Sequence, residues 1–238
     1  MGDLLAVCRV HQLLPDPSAV GVTAIDKRPV DGRVVVRRFG LYADVQADRR
    51  DHGGPDQAVY AYAQEDADVW AAELGRDIPP GLFGENLRTR GIDIGRAVIG
   101  ERWQVGTAVL EVTQPRVPCQ TFARRMGEER WVRRFADANR TGAYLRVVQA
   151  GELGAGDEIA VGYRPAHGVT VAEAFAAWSR SKAMAGPVGD DSDDVGPAVD
   201  ARIELGRRLL EAHAKGDVTL AADMLRRAEQ AAGRAVLD

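Results

Sequence analysis

The sequence predicts a mainly β fold: a barrel-like body with a few peripheral helices, plus a small C-terminal α-helical appendage. Three observations lead there. Up to Pro165 the chain breaks into short alternating or apolar runs punctuated by Gly, Pro and Asp, the pattern of strands and turns. Two of these runs, Gly100-Glu101-Arg102-Trp103-Gln104-Val105-Gly106 and Gly156-Asp157-Glu158-Ile159-Ala160-Val161-Gly162, repeat one design. Glycine-bounded strands of a single pattern suggest equivalent edges in a twisted barrel. After Pro165 the pattern turns Ala-rich and helical, so the chain divides into a body over 1–165 and a helical region over 166–238.

Leu4 to Val10 is an apolar run that opens the body as a strand, with Cys8 in the core. Pro15-Asp16-Pro17 is a loop, Val20 to Ile25 is extended, and Asp26-Lys27-Arg28-Pro29 is a basic turn. Asp31-Gly32 signals a hairpin turn before a strand at Val34 to Val36. Short strands and turns continue from Leu41 to Gln46. His52-Gly53-Gly54-Pro55-Asp56 then precedes a strand at Ala58 to Tyr62. Its paired glycines either let backbone approach a ligand or shape an ordinary surface turn. Gln64 to Leu74 is a helix, with Val69, Trp70 and Leu74 on one stripe, acids early and Gly75 as its stop. Pro79 to Leu87 is a glycine-punctuated loop running into a strand, where Asn86 either serves a polar pocket or closes an Asx turn.

Ala108 to Thr113 alternates as a strand, and Pro115 and Pro118 end its ladder, since each lacks an N–H. The helical pattern that follows puts Cys119 at a helix N-terminus, where free N–H groups and the dipole favour a thiolate. Arg116, Arg124 and Arg125 act in the same sense if they face the sulfur. The plainer reading of Cys119 is a small buried hydrophobe. Glu128 to Ala138 is helical, Asn139-Arg140-Thr141-Gly142 a turn, and Ala143 to Val148 a strand with Tyr144 and Arg146 on one face. In the appendage, Val171 to Met184 is an amphipathic helix with Phe175 and Trp178 on its apolar side. The acidic stretch at 186–197 reads as a solvated linker and lacks the ligand spacing of a calcium loop. Ala198 to His213 and Leu220 to Leu237 form two final helices.

Hydrophobic residues make up 45% of the chain, enough for a proper core and against global disorder. A net charge of −4 argues against a nucleic-acid partner. No run is apolar enough to span a membrane, and the N-terminus lacks the pattern of a signal peptide. Two cysteines in unlike contexts suggest neither a disulfide framework nor a zinc site. A cytoplasmic location is expected.

Together these loops resemble MOSC domains (molybdenum cofactor sulfurase C-terminal domains), and within them the stand-alone YiiM-like branch. The resemblance rests on His52 to Asp56 before Ala-Val-Tyr, on Phe83-Gly84-Glu85-Asn86-Leu87, and on Gln114-Pro115-Arg116-Val117-Pro118-Cys119. It extends through Arg140-Thr141-Gly142-Ala143-Tyr144-Leu145-Arg146 and covers Val20 to Val161. Lys27-Arg28-Pro29-Val30 fits that branch's early turn, and Gly168 to Phe175 resembles the start of its three-helix appendage. The acidic insert and the long final helices depart from the pattern.

The resemblance implies a β-barrel that binds a molybdopterin-type molybdenum cofactor, with pyridoxal phosphate not expected. It places Cys119 on the metal as the catalytic residue, a soft thiolate suited to that centre. Lys27, His52, Asp56, Asn86, Arg116 and Arg146 are then the candidates around the pterin, with Lys27 on its phosphate. The activity implied is reduction of N-hydroxylated compounds, such as hydroxylaminopurine-type base analogues, to amines as a detoxification. The chain has no flavin or iron–sulfur motif, so electrons must come from a separate flavin or iron–sulfur reductase. Two alternatives stay open: a cofactor carrier or sulfur-handling protein without turnover, and metal-free thiol chemistry at Cys119 with His52 as base. Neither a membrane nor a nucleic-acid partner is expected, and a homodimer is left open.

Overall fold

A computed structural model describes residues 1–48, 53–178 and 199–233. The first apolar run belongs to a longer strand, β1 (Gly2–Val10), with Leu4, Val7 and Cys8 fully buried. Two short strands, β2 (Leu14–Pro15) and β3 (Val22–Thr23), pair with each other. The Lys27 segment, expected as a turn, is a strand, β4 (Lys27–Pro29). It zips antiparallel onto β1, with Cys8 opposite Pro29 and Val10 opposite Lys27. Gly32 takes a φ of 74° as a turn residue should, yet the turn makes no hairpin, because β4 does not pair with β5 (Val34–Arg37). Instead β5 pairs with β6 (Gly40–Leu41) and, much later in the chain, with β12 (Gly151–Leu153).

A single 3-10 turn at Pro55–Gln57 leads into β7 (Val59–Ala63) and helix α1 (Gln64–Leu74). Gly75, at a φ of 62°, caps α1 by donating its N–H to the Ala71 carbonyl. Trp70 is buried but Val69 is 43% exposed, so the apolar stripe excludes Val69. After β8 (Leu87–Arg90) come β9 (Arg102–Val105) and β10 (Ala108–Pro115). β10 runs through Pro115 rather than ending before it. Past the register shift at Val112 only β11 (Ala143–Gln149) lies alongside, so the missing N–H interrupts no second ladder. Helices α2 (Gln120–Met126) and α3 (Trp131–Ala138) lie between them, and α3 starts later than its pattern suggests because Arg130 sits at a φ of 52°. β13 (Glu158–Tyr163) completes the body.

Seven strands form a closed ring in the order β13-β9-β10-β11-β7-β8-β1, shut by the antiparallel pairing of β1 with β13 at Gly2 and Ile159. The pair β7–β8 is parallel, which the crossover through α1 makes possible. The repeated glycine-bounded runs are β9 and β13. They are direct neighbours inside the ring, with Ile159 opposite Val105, and not edges. Trp103, Val105 and Ile159 point into the barrel core. A second, aromatic cluster fills the space under α1, α2 and α3, where Phe83, Phe122, Trp131 and Phe135 meet largely edge to face.

The chain closes with α4 (Val171–Trp178), α5 (Val199–Ala214) and α6 (Ala222–Gly233). Their inner faces (Ala174, Leu209 and Met224 among them) belong to the same buried cluster as the barrel core. The change from strands to helices after residue 165 therefore involves no break in packing. His167 sits at the joint: its Nδ1 accepts the Val169 N–H at 3.0 Å, so Nε2 donates to the Ile99 carbonyl at 2.9 Å. The 186–197 stretch, and the expected ends of the first and last tail helices, lie outside the described residues.

Candidate functional site

The segment from Pro115 to Pro118 carries the chain from β10 into α2 and leaves Cys119 as the extended N-cap of that helix (φ −132°, ψ 172°), half-buried. Opposite it, the loop before β8 is pinned from within. Glu85 is fully buried, accepts the N–H groups of Gly81 at 2.7 Å and Phe83 at 3.1 Å, and pairs with the buried Arg88. Arg88 also donates to Gln64 Oε1 at 3.0 Å and to the Ile78 carbonyl at 3.1 Å. Gly81, at a φ of 88°, lets this loop lie against β4: an added Cβ would stand 2.4 Å from the Lys27 carbonyl oxygen.

That pinned loop delivers Asn86 to the wall of a cavity. Its Oδ1 accepts the Tyr60 N–H at 3.1 Å, while Nδ2 donates to the Cys8 carbonyl at 3.1 Å and to Asp44 Oδ2 at 2.8 Å. Asn86 thus stitches three segments together and closes no local turn. Asp44 is the hub of the same network, accepting Lys27 Nζ and, at 2.8 Å, the Val10 N–H. The cavity measures about 420 Å³ and is lined by Lys27, Asp44, Asn86, Arg116, Cys119 and Tyr144, among others. That volume falls in the range of small-molecule sites.

Arg116 is the electrostatic anomaly. Only 5% exposed, its guanidinium lies 3.7 Å from the centre of the Phe122 ring and 5.1 Å from that of Tyr60. Among the described residues no carboxylate pairs with it, and its Nη1 has no hydrogen-bond partner. Burial pushes the phenols of Tyr60 and Tyr144 up, so both stay neutral beside it. Aromatic faces offset part of the cost of a buried cation, but a cavity-lining guanidinium with no carboxylate partner suits an anionic ligand.

Arg124 and Arg125 do not serve the sulfur. Arg124 grips Asp16 Oδ1 at 2.7 Å and 3.1 Å, and Arg125 pairs with Asp26 at 2.8 Å. Burial alone would raise the Asp16 pKa, but hydrogen bonds from Arg124 and Ser18 overcome this and hold it at about 2. Thr121 joins the same carboxylate at 3.2 Å, so Asp16 staples the β2–β3 segment to α2 at the cavity rim.

Of the residues singled out from sequence, the structure brings Cys119, Lys27, Asn86 and Arg116 together around one cavity. Asp56 and Arg146 are not among its lining residues: they pair with each other at 3.0 Å, with Glu111 near the same guanidinium. His52 lies outside the described residues. Sequence reasoning missed Asp44, Asp16 and Tyr60. Asp44 and Asp16 sit in short loops with no motif around them, and Tyr60 reads as one more core residue of its strand. Among the described residues no group of three or more His, Cys, Asp or Glu side chains is placed to hold a metal. No helix among them is long and apolar enough to cross a membrane.

Comparison with known proteins adds the following. A MOSC domain model matches residues 48–160. The chain is 35% identical over 149 residues to the uncharacterized protein YflK of Bacillus subtilis (strain 168), spanning 63% of this chain and 67% of that protein. A Gibberella moniliformis protein named Reductase is 33% identical over 151 residues, 60% of this chain but 26% of its own length. The crystal structure of YiiM from Geobacillus stearothermophilus superposes with a TM-score of 0.71 at 21% identity, covering 97% of this chain and 99% of that one.

Proposed function

Because the chain belongs to the MOSC domain family, we propose that it is a molybdenum-cofactor-dependent reductase of N-hydroxylated compounds, hydroxylaminopurine-type bases among them. One observation carries this reading: a buried, counter-ion-free Arg116 lining the same cavity as the half-buried thiol of Cys119. These residues fit a ligand that is both anionic and thiophilic. Bound there, the cofactor supplies a two-electron redox centre. Cys119 would be its protein ligand, and the guanidinium of Arg116 would hold an anionic group of it. Lys27 is held in place by Asp44, so it adds a positioned, already neutralised ammonium to the wall. Asn86 keeps that wall rigid, and the neutral hydroxyl of Tyr144 offers a hydrogen bond. Asp56 and Arg146 act as an outer support, and His52 remains a candidate for the substrate side.

In the overall reaction the N–O bond breaks, two electrons and two protons are taken up, and an amine and water leave. A separate flavin or iron–sulfur reductase provides the electrons. The test is reduction of a hydroxylaminopurine by viologen-reduced protein that has been co-expressed with the cofactor pathway. We expect turnover by the wild type and its loss in Cys119→Ser. Equal turnover by both proteins would refute the reading, and molybdenum-loaded wild type without turnover would favour the carrier.

A further inference from the structure

The β5–β6 hairpin forms the edge of the side sheet β12-β5-β6, with its inner residues Val34, Val36 and Leu41 packed on the barrel core. Its tip exposes large aromatic side chains: Phe39 is 61% and Tyr42 62% accessible, and Val45, just beyond, is 43%. Arginines frame both rings. Arg38 stands over Phe39 at 5.3 Å and Arg37 over Tyr42 at 5.9 Å, while Arg9 donates to the Tyr42 carbonyl at 2.9 Å. Among the described residues no carboxylate pairs with Arg9, Arg37 or Arg38. The nearby acids are otherwise engaged, Asp44 by Lys27 and Asp26 by Arg125. A chain with a net charge of −4 thus presents a local patch of the opposite sign. Aromatic and Arg side chains are the types that concentrate in protein interfaces. The patch runs directly into the segment from Asp44 to Asp48, which lines the cavity.

We propose that this hairpin is the docking surface for an acidic electron-donor protein of the flavodoxin type, seated beside the cavity. The inference rests on the reductase reading above. A donor must approach the mouth of the site, and opposite charge raises its encounter rate and fixes its orientation. Phe39 and Tyr42 supply the apolar contact that arginines alone would lack. The balance closes with one donor: its FMN hydroquinone gives up two electrons and two protons and returns to oxidised FMN. The N-hydroxylated substrate takes up both and releases amine and water.

The test compares wild type with an Arg37→Glu/Arg38→Glu variant and with an Arg133→Glu/Arg207→Glu control of equal net charge. Reduced flavodoxin and reduced methyl viologen serve as alternative donors. With flavodoxin we expect KM for the donor to rise about tenfold or more in the hairpin variant, with a flattened salt dependence, and no change in the control. With viologen all three should turn over alike, since a small reductant needs no docking. An unchanged KM in the hairpin variant, or wild type that accepts viologen but not flavodoxin, would overturn the proposal. If neither donor supports turnover, the reductase reading fails. Direct calorimetric binding of flavodoxin then still decides the surface: weaker binding by the hairpin variant than by the control supports it, and equal binding overturns it.

Discussion

Replacing Arg88 with Met tests how the cavity wall is held. Arg88 and Glu85 are both fully buried and form an ion pair that anchors the loop delivering Asn86. Methionine keeps the apolar stem but removes every donor. Glu85 would retain the N–H groups of Gly81 and Phe83 and lose its counter-ion. The carbonyls of Ile78 and Pro79 and the side-chain oxygen of Gln64 would each lose a donor as well. A buried charge left without its partner costs about 3–5 kcal/mol. We therefore expect the unfolding free energy from urea titration to fall by about 3–5 kcal/mol, with an unchanged denaturant slope. Adding Glu85→Gln removes the stranded charge, so the double variant should be more stable than Arg88→Met alone. A loss under about 1 kcal/mol for Arg88→Met would refute the reasoning, since it would mean water reaches Glu85.

Three further outcomes are expected. Iodoacetamide should label native protein at Cys119 and spare Cys8, whose thiol is fully buried and whose pKa is pushed up to about 12 by that burial and by Glu85; peptide mass spectrometry reads this, and native labelling of Cys8 would contradict it. Asp16 titrates near 3.8 when unfolded and near 2 when folded, so its staple contributes fully above pH 4 and is lost as pH falls toward 2. Because Arg124 is 42% exposed, the contribution is at most about 1 kcal/mol, and Asp16→Asn should abolish that part of the acid dependence of stability. Gly142→Ala should destabilise by about 1–3 kcal/mol, since φ is +65° and the new Cβ would meet the Ala61 carbonyl oxygen at 2.4 Å. Gly156→Ala, also at positive φ but with open space around it, should cost less in the same urea titration.

Features encoded by neighbouring residues were legible in the sequence. The bounds of α1 follow from its early acids, the placement of Trp70 and the stop at Gly75. Cys119 at a helix start follows from two prolines and the change of period after them. The ring order was not legible, because pairing β1 with β13 joins residues at opposite ends of the body, a relation no local pattern encodes. The same limit hid Asp44. Alternation marks it as polar, but only the fold shows that it meets Lys27, Asn86 and the Val10 N–H together. Arg146 illustrates the converse. The resemblance puts it beside the pterin, yet of the two residues on that strand face it is Tyr144 that lines the cavity, while Arg146 pairs with Asp56 and Glu111. β4 reads as a turn because its strand character comes from β1 alone.

The most direct measurement is the molybdenum content of three proteins, wild type, Cys119→Ser and Cys8→Ser, each co-expressed with the cofactor pathway. We expect molybdenum in the wild type and in Cys8→Ser at near one atom per chain, and its loss from Cys119→Ser. Molybdenum absent from all three, or present equally in Cys119→Ser, would contradict the assignment of this cavity.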